Sequence, residues 1–292
     1  MTRSDVRPWS DSLPAAAPPD GLALHQLPTG TYETRGVFAV SGGSVFERRR
    51  FAATAVLVRH PKGDLLVDAG FGAGVAEHVA MLPRIERAPY ERTRTAREQL
   101  DAADYDFTRL LGVVPTHAHW DHVSGIDSLD VPIWMNREEV GYGADDSHGT
   151  VFRAVSAGKE VRHYEMTDGP YLGFSASWDV HGDGSVVIAH AGGHTPGSVV
   201  VLVTLPSGER FGFIGDLTWQ CDGITGRKQR PWFLRRVTDV DPALVRAGLD
   251  RCIALQGVVH LVPAHDVSAH DRIPILPATG LSTGASSAEA DR

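Results

Sequence analysis

The sequence predicts an α+β fold in which two mixed β-sheets pack against each other and are flanked by helices. Strand-like apolar segments occur in both halves of the chain, and two stretches are rich in such segments. Strands and helices seldom alternate one for one, as a doubly wound parallel sheet would require. Two packed sheets therefore account for the pattern better than a single parallel sheet.

The first elements are a hairpin and a helical region. Phe51 to Arg59 is an apolar strand, residues 60–64 (HPKGD) have the composition of a turn, and Leu65 to Asp68 is the returning strand. From Gly74 to Ala103 the apolar residues recur at spacings of three and four, which is typical of a helix. Two prolines interrupt this helical region and predict a break in it.

The later elements follow from short apolar runs and helix caps. Leu110 to Pro115 has the pattern of a buried strand, and Pro132 to Met135 that of a second strand leading into a helix capped by Asn136. The remaining predicted elements, in chain order, are a strand-rich stretch over residues 184–205 and 209–215, a helix from Asp241 to Gln256 and a strand from Val258 to Pro263.

The composition is that of an ordinary globular protein, with 42% hydrophobic and 22% charged residues in a chain of 292 residues. The formal net charge of −8 argues against nucleic acid or an anionic membrane as a partner and favours a small-molecule substrate. No stretch approaches the roughly 18 apolar residues of a membrane span.

Polar, small-residue segments at both ends predict flexible tails over residues 1–20 and 279–292. The segment between them, residues 21–278, contains no repeat or long linker, and we expect it to form a single domain. The two cysteines, Cys221 and Cys252, lie too far apart in sequence to suggest a disulfide framework or a thiolate metal site. Together with the lack of an apolar leader, this predicts a cytoplasmic protein.

A cluster of metal-ligand side chains follows the predicted strand that ends at Pro115. The segment THAHWDH offers His117, His119, Asp121 and His122 within six residues. In an extended backbone the first three would share one face, and a following turn can bring His122 beside Asp121. Because imidazole nitrogen and carboxylate oxygen are zinc ligands, this segment predicts a zinc site.

Three further candidate ligands lie in turns that follow apolar strands. They are His194 in AGGHTPGS, Asp216 in FIGDLT and His265 in VPAHD. Seven ligands exceed the number that one tetrahedral zinc ion takes, but they suit two neighbouring ions that share an acidic ligand. We therefore predict two Zn²⁺ ions per chain, with other divalent metals as alternatives.

The HAHWDH segment and the later GHTPG, GD and AHD segments together resemble the metallo-β-lactamase superfamily over residues 30–270. The resemblance implies an αββα sandwich. It also distributes the seven ligands, with His117, His119 and His194 on one ion, Asp121, His122 and His265 on the other, and Asp216 bridging the two.

The resemblance further implies a dinuclear zinc hydrolase in which a metal-bridging hydroxide attacks the substrate and Asp121 accepts a proton and passes it on. The MLPR segment at residues 81–84, Trp120 inside the motif and the DLTW segment at Asp216 are most similar to the N-acyl homoserine lactonase branch. We therefore expect a lactone or an ester with an apolar portion as the substrate. Asp68, in LVDAG, corresponds to an acidic residue that is structural or supports a ligand in this family.

Trp219 departs from the pattern of that branch. Many of its members carry a tyrosine three residues after the bridging aspartate, where this chain has Trp219. An indole N–H can donate a hydrogen bond but cannot supply a proton at neutral pH. Trp219 and Trp120 are instead candidates for an apolar wall of a substrate pocket.

Two other functions stay open. A glyoxalase II-like thioester hydrolase would need a pocket for glutathione or a similar thiol carrier, which the sequence does not locate. A non-catalytic metal-binding or sensory protein would keep the ligands without turnover. A di-iron site for oxygen chemistry fits less well, because His119 stands where flavodiiron proteins usually carry glutamate.

Overall fold

The described strands form two sheets, and helices cover the outer face of each sheet. The structure is a computed structural model that describes residues 6–145 and 149–278. The predicted C-terminal tail, residues 279–292, lies outside the described residues.

The first sheet has seven strands. They are β1 (Ala23–Arg35), β2 (Arg48–Arg59), β3 (Asp64–Val67), β4 (Tyr90–Arg92), β5 (Leu110–Val114), β6 (Ile133–Met135) and β7 (Val161–His163). Their order across the sheet is β4-β1-β2-β3-β5-β6-β7. The pairs from β4 to β3 are antiparallel, and those from β3 to β7 are parallel. This sheet is therefore mixed, as predicted.

The second sheet has five strands. They are β8 (Ser177–Asp179), β9 (Val186–His190), β10 (Val199–Thr204), β11 (Arg210–Phe213) and β12 (His260–Val262). Their order is β12-β11-β10-β9-β8, and only the β11–β12 pair among them is parallel. The second sheet is mixed as well.

The main core lies between the two sheets. Val56 and Val58 of β2 are buried in one cluster with Val199 and Val201 of β10. Because successive side chains of a strand point to opposite faces, Leu57 packs instead on the outer side of the first sheet, against helical residues. This layering confirms the predicted αββα sandwich.

The described part of the chain contains nine α-helices, and three of them begin at a side-chain cap. The nine helices are α1 (Gly36–Ala39), α2 (Val75–Met81), α3 (Ala96–Ala102), α4 (Trp120–Val123), α5 (Arg137–Ala144), α6 (Thr150–Ser156), α7 (Asp222–Thr225), α8 (Trp232–Thr238) and α9 (Pro242–Leu255). Asn136 caps α5 by accepting a hydrogen bond from the Glu139 amide, and Asp241 caps α9 in the same way. Both predicted helix starts are confirmed. Among the described residues, none of these helices has the length and apolarity needed to cross a membrane.

Four strands, β1, β4, β7 and β8, were not predicted from the sequence. The 13-residue strand β1 was not predicted, because Pro28 and Gly30 interrupt its alternation and its pairing register shifts between them. The predicted helical region over residues 74–103 contains β4 between α2 and α3. β4 has only three residues and exists through its pairing with residues 30–32 of β1, so its own sequence carries little strand signal.

Residues 6–20, part of the predicted N-terminal tail, contain neither helix nor strand but contact the folded part of the chain. The Trp9 amide donates to the Ala254 carbonyl over 2.8 Å, and the Ala17 amide donates to the Asp183 carbonyl over 2.7 Å. The side chains of Trp9 and Leu13 pack against the core between α9 and the second sheet. The single-domain assignment of residues 21–278 stays a prediction.

The predicted ligands lie at one edge of the sandwich, because strands of both sheets end there. The turns after β3, β5, β9, β11 and β12 carry, in that order, Asp68, the HAHWDH segment, His194, Asp216 and His265. A hydrogen bond from the Val199 amide to the Thr116 carbonyl, 2.9 Å long, joins the two sheets at this edge. The fold thus brings together residues that are distant in sequence.

Gly125 provides a test of the close packing behind this edge. A Cβ atom on Gly125 would lie 2.2 Å from the Ala69 carbonyl oxygen, so Gly125→Ala must displace backbone. We expect it to lower the free energy of unfolding by about 1–3 kcal/mol in urea denaturation. In Gly141→Ala, on α5, the added Cβ would meet no atom within 4 Å. The free energy of unfolding of this control should rise by about 0.5–1 kcal/mol, because alanine favours a helix more than glycine does. A Gly125→Ala variant as stable as the wild type would contradict the packing described.

Candidate metal centre

The HAHWDH segment changes from extended to helical backbone at His119. This residue has φ −70° and ψ 154°, and α4 begins directly after it. His117 and His119 therefore project from an extended stretch, whereas Asp121 and His122 lie in the first turn of a helix. The change in backbone divides one short segment between two groups of side chains, as the resemblance implies. Asp121 therefore does not share a face with His117 and His119, as a fully extended segment would have placed it.

The first group, called here the three-histidine group, consists of His117, His119 and His194. The Nδ1 atom of His119 lies 3.0 Å from Nε2 of His117 and 3.0 Å from Nε2 of His194. A tetrahedral zinc ion with nitrogen ligands about 2.0–2.1 Å away places those ligands about 3.3 Å apart. The three nitrogens thus converge at the spacing of metal ligands.

The second group, called here the mixed group, consists of Asp121, His122 and His265. The Nε2 atoms of His122 and His265 lie 3.3 Å apart, and Nε2 of His265 lies 3.4 Å from Oδ2 of Asp121. All three side chains are buried. The mixed group has the same compactness as the three-histidine group and offers both nitrogen and oxygen.

Asp216 lies between the two groups and directs one oxygen toward each. Its Oδ2 lies 3.3 Å from Nε2 of His194, and its Oδ1 lies 3.1 Å from Nε2 of His265 and 3.5 Å from Nε2 of His122. Oδ1 is buried and makes no hydrogen bond of good geometry, although His265 and His122 lie near it. Because an unsatisfied buried acceptor costs about 1–3 kcal/mol or more, this atom fits the role of a metal ligand.

The outward-facing ring nitrogens of the histidines have partners that orient the rings. Nδ1 of His122 lies 2.9 Å from Asp68, Nδ1 of His194 lies 2.9 Å from Asp239, and Nδ1 of His265 lies 2.8 Å from a backbone carbonyl. A proton on the outward nitrogen leaves the inward nitrogen with a free lone pair. The supporting role that the sequence suggested for Asp68 therefore agrees with its contacts.

Buried charges in the site shift one another's pKa values. Burial alone would raise the pKa of Asp216, but the adjacent histidines, His265 foremost, hold it well below its usual range. Burial alone would lower the pKa of His122, but Asp68 and Asp216 raise it well above its usual value. A bound divalent cation would compensate the carboxylates in place of a proton on the histidine.

The two tryptophans that the sequence singled out have different surroundings. The indole N–H of Trp219 donates to Oδ2 of Asp216 over 2.6 Å. Its ring lies edge-on to Phe51, with 5.7 Å between the ring centroids. The Trp120 ring stacks on Phe71 with the ring centroids 5.4 Å apart. Both tryptophans are partly buried, and their place in a substrate pocket stays a prediction.

Several polar contacts of the site were not predicted from the sequence. Tyr32 donates to Oδ2 of Asp121 over 3.0 Å, and the Tyr142 hydroxyl lies 3.1 Å from Nε2 of His119. Asp239 contacts both His194 and the buried Arg230. None of them belongs to a local motif, and Asp239 lies 45 residues from the histidine that it contacts. Only the fold reveals such contacts.

Comparisons with known proteins agree with this geometry. Residues 48–265 match the family model described as the metallo-beta-lactamase superfamily. The N-acyl homoserine lactonase AttM of Rhizobium johnstonii is 24% identical over 220 residues, which cover 73% of this chain and 81% of that protein. AttM of Agrobacterium fabrum is 23% identical over 190 residues, covering 63% and 71% of the two chains.

Solved structures agree on the fold. An N-acyl homoserine lactone hydrolase with the product N-hexanoyl-L-homoserine bound at its catalytic metal center matches 88% of this chain and 98% of its own, with a TM-score of 0.68 and 16% identity. AidC, a dizinc quorum-quenching lactonase, matches 88% and 92% of the two chains with a TM-score of 0.56 and 16% identity. The predicted resemblance to the metallo-β-lactamase superfamily, and within it to N-acyl homoserine lactonases, is confirmed.

The convergence of seven ligands predicts that metal stabilises the fold. We expect Zn²⁺ at a concentration of about a hundred times its Kd to raise the free energy of unfolding by about 2.7 kcal/mol for each site that it fills, and so to raise the Tm. The measurement is thermal unfolding of chelator-treated protein with and without added Zn²⁺. A double variant, His194→Ala with His265→Ala, should respond much less, and a wild-type Tm that does not move with Zn²⁺ would argue against a metal centre.

Proposed function

Because this chain belongs to the metallo-beta-lactamase superfamily, we propose that it is a dinuclear zinc hydrolase that opens a lactone or cleaves an ester with an apolar portion. The observation that carries this proposal is the position of Asp216, whose two oxygens face the three-histidine group and the mixed group. A carboxylate so placed fits a bridge between two ions. The lactonase names of the matched relatives support a lactone as the first substrate to test.

The residues present fit two zinc ions. His117, His119 and His194 would hold one ion, Asp121, His122 and His265 the other, and Asp216 would contact both. When bound, two such ions lower the pKa of water towards neutrality and polarise the carbonyl oxygen of a substrate. The site therefore needs no serine or cysteine nucleophile.

Asp121 is the residue that we propose to move a proton. One of its oxygens accepts a hydrogen bond from the Tyr32 hydroxyl, and its carboxylate adjoins His265. Burial, and next the nearby carboxylate of Asp121, raise the pKa of Tyr32 well above its usual value. Tyr32 therefore keeps its proton at neutral pH and orients Asp121 as a hydrogen-bond donor. Asp121 is left to accept a proton during attack and to deliver it to the leaving group.

Trp219 has a different role from a tyrosine at the same place. Its indole N–H is engaged by Asp216 at 2.6 Å, and it cannot supply a proton at neutral pH. The guanidinium of Arg230 lies 5.0 Å from the centroid of the Trp219 ring and donates a hydrogen bond to the backbone carbonyl of Asp216. We infer that Trp219 holds the bridging carboxylate in place.

Exposed aromatic side chains that follow Arg230 in the chain support a substrate with an apolar portion. Trp232 and Phe233 begin α8, two and three residues after Arg230, and are 64% and 40% exposed. The Phe233 ring meets the ring of Phe38, on α1, edge to face. Adjacent exposed aromatic side chains are typical of a surface that binds apolar groups. We propose that they contact the apolar portion of the substrate.

Asp216→Ala tests the dinuclear site. We expect the metal content to fall from about two ions per chain to about one or fewer. The initial rates of hydrolysis of a lactone, an ester and a thioester should fall with it. His190→Ala is the control, since His190 contacts Glu138 and Pro196 outside both groups. Its metal content and rates should match the wild type. An Asp216→Ala variant with unchanged metal and activity would refute the dinuclear mechanism, and thioester turnover alone would favour the glyoxalase II-like alternative.

Tyr32→Phe tests the orientation of Asp121. Loss of a hydrogen bond to a charged group costs about 1.5–3 kcal/mol, so kcat should fall about tenfold or more while KM and metal content stay unchanged. Tyr90→Phe, in the same aromatic surroundings beside Phe71, is the control and should keep its kcat. A Tyr32→Phe variant with the wild-type kcat would remove Tyr32 from the mechanism.

A further inference from the structure

A buried carboxylate outside both ligand groups connects the two segments that carry the three-histidine group. Glu139 of α5 is 1% exposed. Its Oε1 accepts from the Ala118 amide over 2.6 Å, and its Oε2 accepts from the Thr195 hydroxyl over 2.7 Å and from the Gly197 amide over 3.0 Å. Each oxygen thus holds a different segment of the chain.

The N-terminus of α5 completes this connection. Asn136, the cap of α5, donates from its side-chain amide to the Gly197 carbonyl over 2.6 Å. A Cβ atom on Gly197 would lie 2.3 Å from Oδ1 of Asn136 and 2.4 Å from the Glu139 amide nitrogen. The segment after His194 can therefore approach α5 only because residue 197 is glycine.

The residues that Glu139 holds are direct neighbours of the histidines. Ala118 lies between His117 and His119 in the chain, and Thr195 follows His194. His119 and His194 are 75 residues apart in sequence, yet their ring nitrogens lie 3.0 Å apart. A shift of either segment would open this spacing, and Glu139 restrains both segments at once.

We propose that Glu139 is the positioning residue that assembles the three-histidine half of the metal centre. This inference rests on the proposed metal function. The mixed group depends on other contacts, because Asp68 orients His122 and the Ala52 carbonyl orients His265. Loss of Glu139 should therefore weaken the binding of one ion and spare the other.

Glu139→Gln is the variant that tests this role. All three partners of Glu139 are donors, and a glutamine side chain has only one oxygen to accept them. Its NH₂ group would face a donor, so the connection to one segment is lost while the side-chain volume is kept. Outer partners of metal ligands typically contribute 10–100-fold to metal affinity. We expect a loss of this size for one of the two ions.

The measurement is a Zn²⁺ titration of the full-length chelator-treated chain in competition with a chromophoric chelator, which separates the two affinities. Glu138→Gln is the matched control, since Glu138 is the preceding residue on α5 and its side chain is 65% exposed. It should bind both ions as the wild type does. Asp64→Asn changes another buried carboxylate and controls for general destabilisation. Its partners, Tyr105, Arg109 and the His60 amide, lie outside both ligand groups.

Co²⁺ absorption spectra identify which ion is affected. His194→Ala lacks one ligand of the three-histidine group, and His265→Ala lacks one ligand of the mixed group. The spectrum of Glu139→Gln, at Co²⁺ levels that saturate the wild type, should resemble that of His194→Ala. Thr195→Val removes a single donor to Glu139 and is the milder variant if Glu139→Gln fails to fold. It should shift the same affinity by a smaller factor.

A folded Glu139→Gln variant that binds both Zn²⁺ ions with wild-type affinity would overturn the proposal. An equal loss of affinity for both ions, or a Co²⁺ spectrum like that of His265→Ala, would also overturn it. If Glu139→Gln does not fold, wild-type affinities in Thr195→Val would overturn it. These results leave the proposed hydrolase intact, because the wild type would still bind two ions and turn over substrate. A wild-type chain that binds no metal would overturn both proposals.

Discussion

The carboxylate of Asp216 is buried between two sets of imidazole rings, and its burial constrains the rest of the site. Removing a carboxylate from water costs several kcal/mol unless charges and hydrogen bonds compensate it. Here the compensation comes from His194 and His265 on opposite sides, from the Trp219 indole and, in the proposed function, from two cations. The αββα sandwich supplies this arrangement by ending strands of both sheets at one edge.

Much of the fold could be predicted because its signals are local. The β2–β3 hairpin shows an apolar strand, a turn and a second strand within 20 residues, and α9 shows its Asp241 cap and Pro242 at its start. β1 and β4 could not be predicted in this way. β1 contains a proline and a glycine, and β4 is a strand only because β1 lies beside it. Pairing between distant segments leaves little mark on either segment alone.

The same distinction applies to the site. The seven candidate ligands could be predicted because four lie in one compact motif and the others follow apolar strands, and the structure brings all seven together in two groups joined by Asp216. The residues that orient them could not be predicted. Tyr32 contacts a ligand 89 residues away, and Glu139 joins segments on either side of it in the chain. Such contacts depend on packing and carry no characteristic spacing.

The order in which the ligands leave the ribosome follows from their spread along the chain. The first four emerge early, but the three-histidine group is incomplete until His194 has been made, and the mixed group until His265 has been made 71 residues later. His265 is held by the Ala52 carbonyl, 213 residues earlier in the sequence. Contacts of such separation form late and slowly in folding. The HAHWDH segment therefore precedes its last partner by 143 residues of synthesis, and under the proposed function both halves of the metal site can be closed only after His265 has been made.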